Sequence, residues 1–404
     1  MKLTTNYAEL NLKKNHIWYI NPAYNYEHKV KVIINFSNCK SINLKPILVN
    51  KNTNIVYLSL TDIDSNIFYK YKALNLKVEI NIGNFKENYY FDIIRTIEKI
   101  NLNSSFLYKV IYIDYLSIDW NNPGNTIKQA VDAGFNIINL AFYIQNGPAD
   151  MAFAWSNLDQ STQIEISNYA HSKGAKILVS AGGATDNTMY DKDPFQYAMT
   201  VCKWALDNNL DGVDYDLEDI QPGFLISNKN TQDTYNWFKI LNETSRQILG
   251  SNRIISHAPQ APYLAQPGQL GTWPGIDGGY VKVFNDVKNT AKIDFFNIQF
   301  YNQGNDNYNT YEKIFINSGI NFPYSSIYEI SNQNDLINGL PIDKLVYGTY
   351  LQSNDGSGFH DPTLIKQYME QANKDLNWNS GTMLWLWNTT GNPTAITWYN
   401  TIYN

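Results

Sequence analysis

The chain has 404 residues, 44% of them apolar and 17% charged, and a net charge of −6. That length exceeds one small domain, and that composition excludes a disordered chain. The scattered charges argue against a nucleic-acid surface, which needs a basic patch, and no run approaches the 18 or more apolar residues of a membrane span.

The first stretch, "MKLTTNYAELNLKKNHIWYI", lacks the apolar core of a cleavable secretion signal, so an extracellular role would require a non-classical route of release. Short alternating segments follow: "HKVKVIINF" (28–36), "NIVYLSL" (54–60), "LKVEINI" (76–82) and "YYFDIIRTI" (89–97). Asn-, Ser- and Lys-rich turns separate them. They predict a small β-sandwich-like domain over residues 1–105, closed by the linker "NLNSS" (101–105). Its aromatics Trp18, Tyr19, Tyr24 and Tyr26 would suit polysaccharide binding; docking to a protein partner and service as a spacer are the other roles open to it.

From residue 106 the rhythm changes to buried strand, helix, buried strand. Apolar runs cover 108–116, 135–144, 175–183, 210–218, 253–260, 293–301, 344–351 and 381–388. Stretches with helical spacing lie between most of them, such as "NTIKQAVDAG" and "DPFQYAMTVCKWALDNN", and several close on Gly or Asn. Eight such units predict a (β/α)8 barrel over 106–404. An open doubly wound sheet would more often carry a Gly-rich phosphate turn, and "DYLSIDWNNPGN" after the first run has none.

A barrel of this kind carries its active site at the C-terminal strand ends. Those ends read "SAGGAT", "DYDLED", "HAPQAP", "QFYNQ" and "LWLWN" in runs three, four, five, six and eight. Branched aliphatics would fill a barrel; amides, carboxylates and aromatics at its mouth point to chemistry. In "DGVDYDLEDI" (211–220) the two-residue period of a strand puts Asp214, Asp216 and Glu218 on one face, about 6.6 Å apart per step. Val213, Tyr215 and Leu217 suit the helix side, so the acidic face is the lumen. Three carboxyls at that spacing cannot all ionise cheaply, so protons are shared, and a carboxyl kept protonated is a general acid. Asp211 is expected to anchor the start of the strand, and Asp219 points to the opposite face. Cys39, Cys202 and the dispersed histidines have no metal-ligand spacing, and no metal or cofactor is expected.

These residues carry a resemblance. "DGVDYDLE" is similar to the DxxDxDxE signature of glycoside hydrolase family 18, the chitinases. "SAGG" (180–183) resembles its SxGG motif, "QFYN" (299–302) its strand-six tyrosine motif, and "GTMLW" (381–385) its GxMxW strand eight. All four fall in order within 108–404. The resemblance implies hydrolysis of β-1,4-N-acetylglucosamine linkages with retention, the substrate's own acetamido oxygen acting as nucleophile through an oxazolinium. On it, Glu218 is the acid and later the base, Asp216 orients the acetamido N–H, Asp214 holds Asp216, and Tyr301 bonds the acetamido carbonyl. Trp385 is the platform under the sugar. Trp387, two residues on, is expected on the same face, higher up the wall.

Gln299, Asn302 and Gln260 are candidate polar contacts, and Gly182 and Gly183 stand beside the site. Trp155, Trp273 and Tyr263 are looser candidates for outer sugars. The partners expected are chitin or N-acetylglucosamine oligosaccharides. The thirty or so residues between runs seven and eight leave no room for the α+β insertion that walls some relatives, which predicts an open, endo-acting cleft. The alternatives are an endo-β-N-acetylglucosaminidase acting on N-glycan cores and an inactive chitin-binding lectin on the same barrel.

Overall fold

The computed structural model describes residues 107–186, 192–218, 231–265, 279–332, 339–353 and 355–404, without the side chains of 231–233 and 279. Of residues 1–106 it describes the backbone of strands alone. Asp219, Trp273, Trp18, Tyr19, Tyr24 and Tyr26, on all of which expectations rest, lie outside the described residues. The chain divides into two compact units, one holding residues 1–101 and 246–253 and the other 102–245 and 254–404.

Among the described residues the first unit has two sheets. One has five strands, drawn from Lys2–Thr4, Tyr7–Asn11, Pro46–Asn50, Ile55–Ser59 and Ile94–Arg95. The other has four, Val30–Phe36, Ile42–Leu44, Leu74–Ile82 and Phe85–Asp92, all antiparallel.

The second unit is a closed barrel of parallel strands: β1 (Tyr108–Ile113), β2 (Ile137–Ile144), β3 (Lys176–Gly182), β4 (Gly212–Asp216), β5 (Ile254–His257), β6 (Phe295–Gln299), β7 (Leu345–Tyr350) and β8 (Gly381–Trp385). Pairing of β1 with both β2 and β8 closes the ring. Each strand is buried over nearly its whole length, as strands covered on both faces must be. The (β/α)8 architecture expected from the eight apolar runs is the architecture found.

The helices start where the sequence supplies a cap and a proline together. Asn122, Asp193 and Asp361 each accept a hydrogen bond from the first turn, and Pro123, Pro194 and Pro362 occupy the first helical position, where a missing N–H is harmless. The last helix, Ala395–Tyr403, opens on a capping box between Thr394 and Thr397. After β6 the pattern weakens: Glu312–Ile316 and Ile327–Ser331 are short helical pieces.

The strands' register defines an inward face. Tyr112 pairs with Asn139 between β1 and β2, Ser180 with Asp214 between β3 and β4, Asp214 with Ser256 between β4 and β5, and Tyr350 with Trp385 between β7 and β8. The outward face packs on helices. There Tyr215 meets Ser245 Oγ at 2.6 Å, and the ring of His257 lies among Tyr215, Phe238, Tyr280 and Phe296. Burial holds the His257 imidazole neutral, its pKa lowered to about 3, and its Nε2 contacts Asn242 Oδ1 at 2.9 Å.

Candidate active site

The acidic run on β4 has the division that its two-residue period requires. Asp214 and Asp216 face the lumen, 0% and 3% exposed, while Val213, Tyr215 and Leu217 are buried. Asp211 sits at the start of the strand. It accepts the Ile177 N–H at 2.8 Å and pairs with His171 at 2.8 Å, which ties β4 to β3 and to the helix Gln160–Ser172.

The two lumen aspartates have different surroundings. Asp214 accepts four hydrogen bonds. Tyr112 Oη (2.7 Å) and Ser180 Oγ (2.8 Å) reach Oδ2; Ser256 Oγ (2.6 Å) and Asn297 Nδ2 (3.1 Å) reach Oδ1. A carboxylate offers about four lone-pair sites, so this shell suits the ionised form. Burial pushes the Asp214 carboxyl up, and those four hydrogen bonds oppose the rise. Asp216 accepts from Gln299 Nε2 at 2.9 Å. Burial, then the charges of Glu218 and Asp214, push its carboxyl well above the usual carboxylate range, with Gln299 alone opposing. Asp216 is therefore the more readily protonated of the two lumen aspartates.

Glu218 lies two residues past the last ladder residue, half-buried at the mouth. Gln299 joins the levels. Its two amide hydrogens are taken by Asp216 and by the Ala258 carbonyl, both at 2.9 Å, and Glu218 Oε1 lies 3.5 Å from the same nitrogen. Tyr301 is 5% exposed, and its ring centroid is 4.4 Å from that of Tyr350. Burial, Asp216 and Glu218 all raise its hydroxyl's pKa, so it remains a donor.

Trp385 is half-buried, with its ring 5.6 Å from both Tyr112 and Phe142 and tilted only 24° from the latter. Gly183 makes this stack possible. It has φ of +90°, and a Cβ there would meet the Phe142 ring at 3.0 Å. Its N–H also bonds the Asp216 carbonyl at 2.8 Å, and Gly182, likewise at positive φ, is the register partner of Asp216. Gln260 forms an isolated bridge with Gln299 at the rim. Asn302 is exposed at φ of +66°, and its side chain bonds the Tyr350 hydroxyl.

Trp387 corrects an expectation. It is 1% exposed, and its ring packs edge-on against Phe135, which in turn stacks on Trp398 of the last helix. The strand ends at Trp385, so the alternation that would have carried Trp387 to the cleft ends with it. Trp155 and Tyr263 are also core residues, at 0% and 1% exposed, and Trp155 Nε1 bonds the Asn208 carbonyl at 2.9 Å.

Sequence reasoning missed the shell around Asp214, formed by Tyr112, Ser256 and Asn297 with Ser180, which it had quoted in "SAGG" without this role. The signal was a hydroxyl or amide at an inward position of an apolar run, as in "RIISH" and "FFNIQF". It also missed Asp114, two residues above Tyr112, whose carboxyl burial pushes up to about 6. Among the described residues no group of three or more His, Cys, Asp or Glu could hold a metal ion.

No model of a known protein family matches the chain. An endochitinase 4 of Metarhizium robertsii is 27% identical over 275 residues, covering 62% of this chain and 73% of its own length. A solved family 18 chitinase from Pseudoalteromonas aurantia aligns with a TM-score of 0.52 at 25% identity, over 73% of this chain and 98% of its own. A fungal endo-β-N-acetylglucosaminidase of the same family aligns at 0.51 and 17% identity, over 72% and 95%, which speaks to the fold. The parallel barrel, together with the endochitinase and the solved chitinase it resembles, supports a glycoside hydrolase. The barrel of this chain is similar to the catalytic domains of glycoside hydrolase family 18, the chitinase family.

Proposed function

We propose that the protein is a chitinase that hydrolyses β-1,4-N-acetylglucosamine linkages with retention, by substrate-assisted catalysis. The observation that carries this reading is the contrast within the ladder: Asp214 sits in a four-donor shell, while Asp216 accepts from Gln299, whose amide also lies 3.5 Å from Glu218. Glu218 at the mouth protonates the leaving glycosidic oxygen. The sugar's acetamido oxygen attacks C1 as that bond breaks, forming the oxazolinium. Asp216 orients the acetamido N–H, and its negative charge, when its proton moves toward Asp214, offsets the charge on the ring. Glu218, now a carboxylate, takes a proton from the water that opens the ring. Tyr301 donates to the acetamido carbonyl, and Trp385 stacks beneath the sugar. An intramolecular nucleophile gains from high effective molarity only when it is held in place, which gives Asp216 and Tyr301 their roles.

The open, endo-acting cleft remains the better reading of the β7–β8 segment, where Pro362–Leu376 is the helix among the described residues. Turnover of a chromogenic N-acetylglucosamine oligomer tests the whole proposal. Release by wild type and none by Glu218→Gln supports it; binding without release by wild type would instead indicate a lectin. Endo-action predicts mixed products from long oligomers. Disaccharide released processively from one end would contradict it.

A further inference from the structure

Asn139 of β2 is 0% exposed, yet neither its Nδ2 nor its Oδ1 has a hydrogen-bond partner among the described residues. It is the register partner of Tyr112, so its side chain faces the lumen next to a ligand of Asp214. A third atom at this level, Asn297 Oδ1, is buried in the same state, although Asn297 Nδ2 bonds both Tyr112 and Asp214. Three orphaned polar atoms in one barrel layer are costly unless something satisfies them.

The side chain above Asn139 is small. Ala141 is the next inward residue on β2, and its register partner is Ser180. The Ser180 hydroxyl commits its hydrogen to Asp214, which leaves its oxygen able to accept. We propose that a small cluster of ordered water occupies the lumen here, held by Asn139 and Asn297 Oδ1, and extends the shell of Asp214 through Ser180. Asn139 Nδ2 donates to a water, that water donates to Ser180 Oγ, and Asn139 Oδ1 and Asn297 Oδ1 accept from the cluster. Each water then has the two to four polar partners that buried water requires.

Asn139 is accordingly a positioning residue, acting on the ladder through water and Ser180. The ionisable groups nearest Asp214 in the lumen are Asp216 on its own strand, Tyr112 on β1 and Tyr301 beyond β6, with Glu218 above; Tyr280, on the helix Gly279–Val287, lies in the outer layer against His257. Asn139 alters the balance among them by favouring the charged form of Asp214.

The kinetic part of this inference rests on the chitinase reading; the water itself does not. A crystal structure of the wild-type protein should show density within about 3.2 Å of the Asn139 amide, and a dry lumen overturns the proposal. Asn139→Leu, an apolar near-isostere, should lower Tm by a few degrees, because the cluster loses its anchor. It should also move the acid limb of kcat to higher pH by roughly half a unit, while Asn139→Ser keeps the limb in place. A rise in Tm for the leucine variant would mean a dry, unpaired amide and would overturn the proposal, as would an unmoved acid limb. If wild type shows no turnover, the chitinase reading falls, and the density and Tm still decide the water.

Discussion

Strands β4 and β8 both end in alternating large side chains, and they part company one step beyond the ladder. On β4, Glu218 lies past the last paired residue and still keeps to the lumen side, 3.5 Å from Gln299. On β8, Trp387 lies equally far past the end and turns away into the layer between barrel and helices, against Phe135. Alternation governs a residue only while backbone pairing holds it. Beyond that, the cheaper environment decides. A carboxyl has no place among aromatic rings, whereas an indole gains from burial there.

The largest effect is expected at Glu218. Glu218→Gln should lower kcat by about 10³- to 10⁴-fold with substrate binding retained, measured by turnover and by calorimetric titration with an oligomer. Near-normal hydrolysis would remove Glu218 from the acid role.

Asp216→Asn should cost about 100-fold in kcat and yet raise Tm at pH 7. The sign follows from its carboxyl, which is raised in the folded state: its stability contribution is whole below the unfolded pKa and lost as pH rises through the folded one. The amide has no such loss, so the Tm advantage should shrink as pH falls toward 4. A variant less stable than wild type at pH 7 would contradict the proton placement.

The two tryptophans at the end of β8 should respond in opposite ways. Trp387→Ala should destabilise the barrel by about 3–5 kcal/mol in denaturant melts, with kcat/KM little changed under conditions where it stays folded. Trp385→Ala should do the reverse, raising KM about tenfold with a small effect on stability. If the two exchanged phenotypes, the assignment of faces would be wrong.

The smallest expected effect is at Gly183. Gly183→Ala places a methyl against the Phe142 ring at positive φ and should cost about 1–3 kcal/mol. A modest rise in KM should accompany it, since Phe142 backs Trp385.

Much of this was legible in the sequence because it rests on short-range periods. Eight buried runs predicted the barrel, and parity within "DGVDYDLEDI" separated Asp214 and Asp216 from Val213, Tyr215 and Asp211. A two-residue period is a property of extended backbone and needs no knowledge of what surrounds it. The same reasoning failed at Trp387, where the extended backbone had ended. It did not foresee that Tyr112, Ser180, Ser256 and Asn297, from four other strands, meet Asp214 when the barrel closes. Which aspartate is the more readily protonated was likewise beyond the sequence. Asp214 and Asp216 are two residues apart on one face and chemically identical. Only the closed barrel gives one of them four donors and leaves the other under the charge of Glu218, because a pKa is set by neighbours in space and not in the chain.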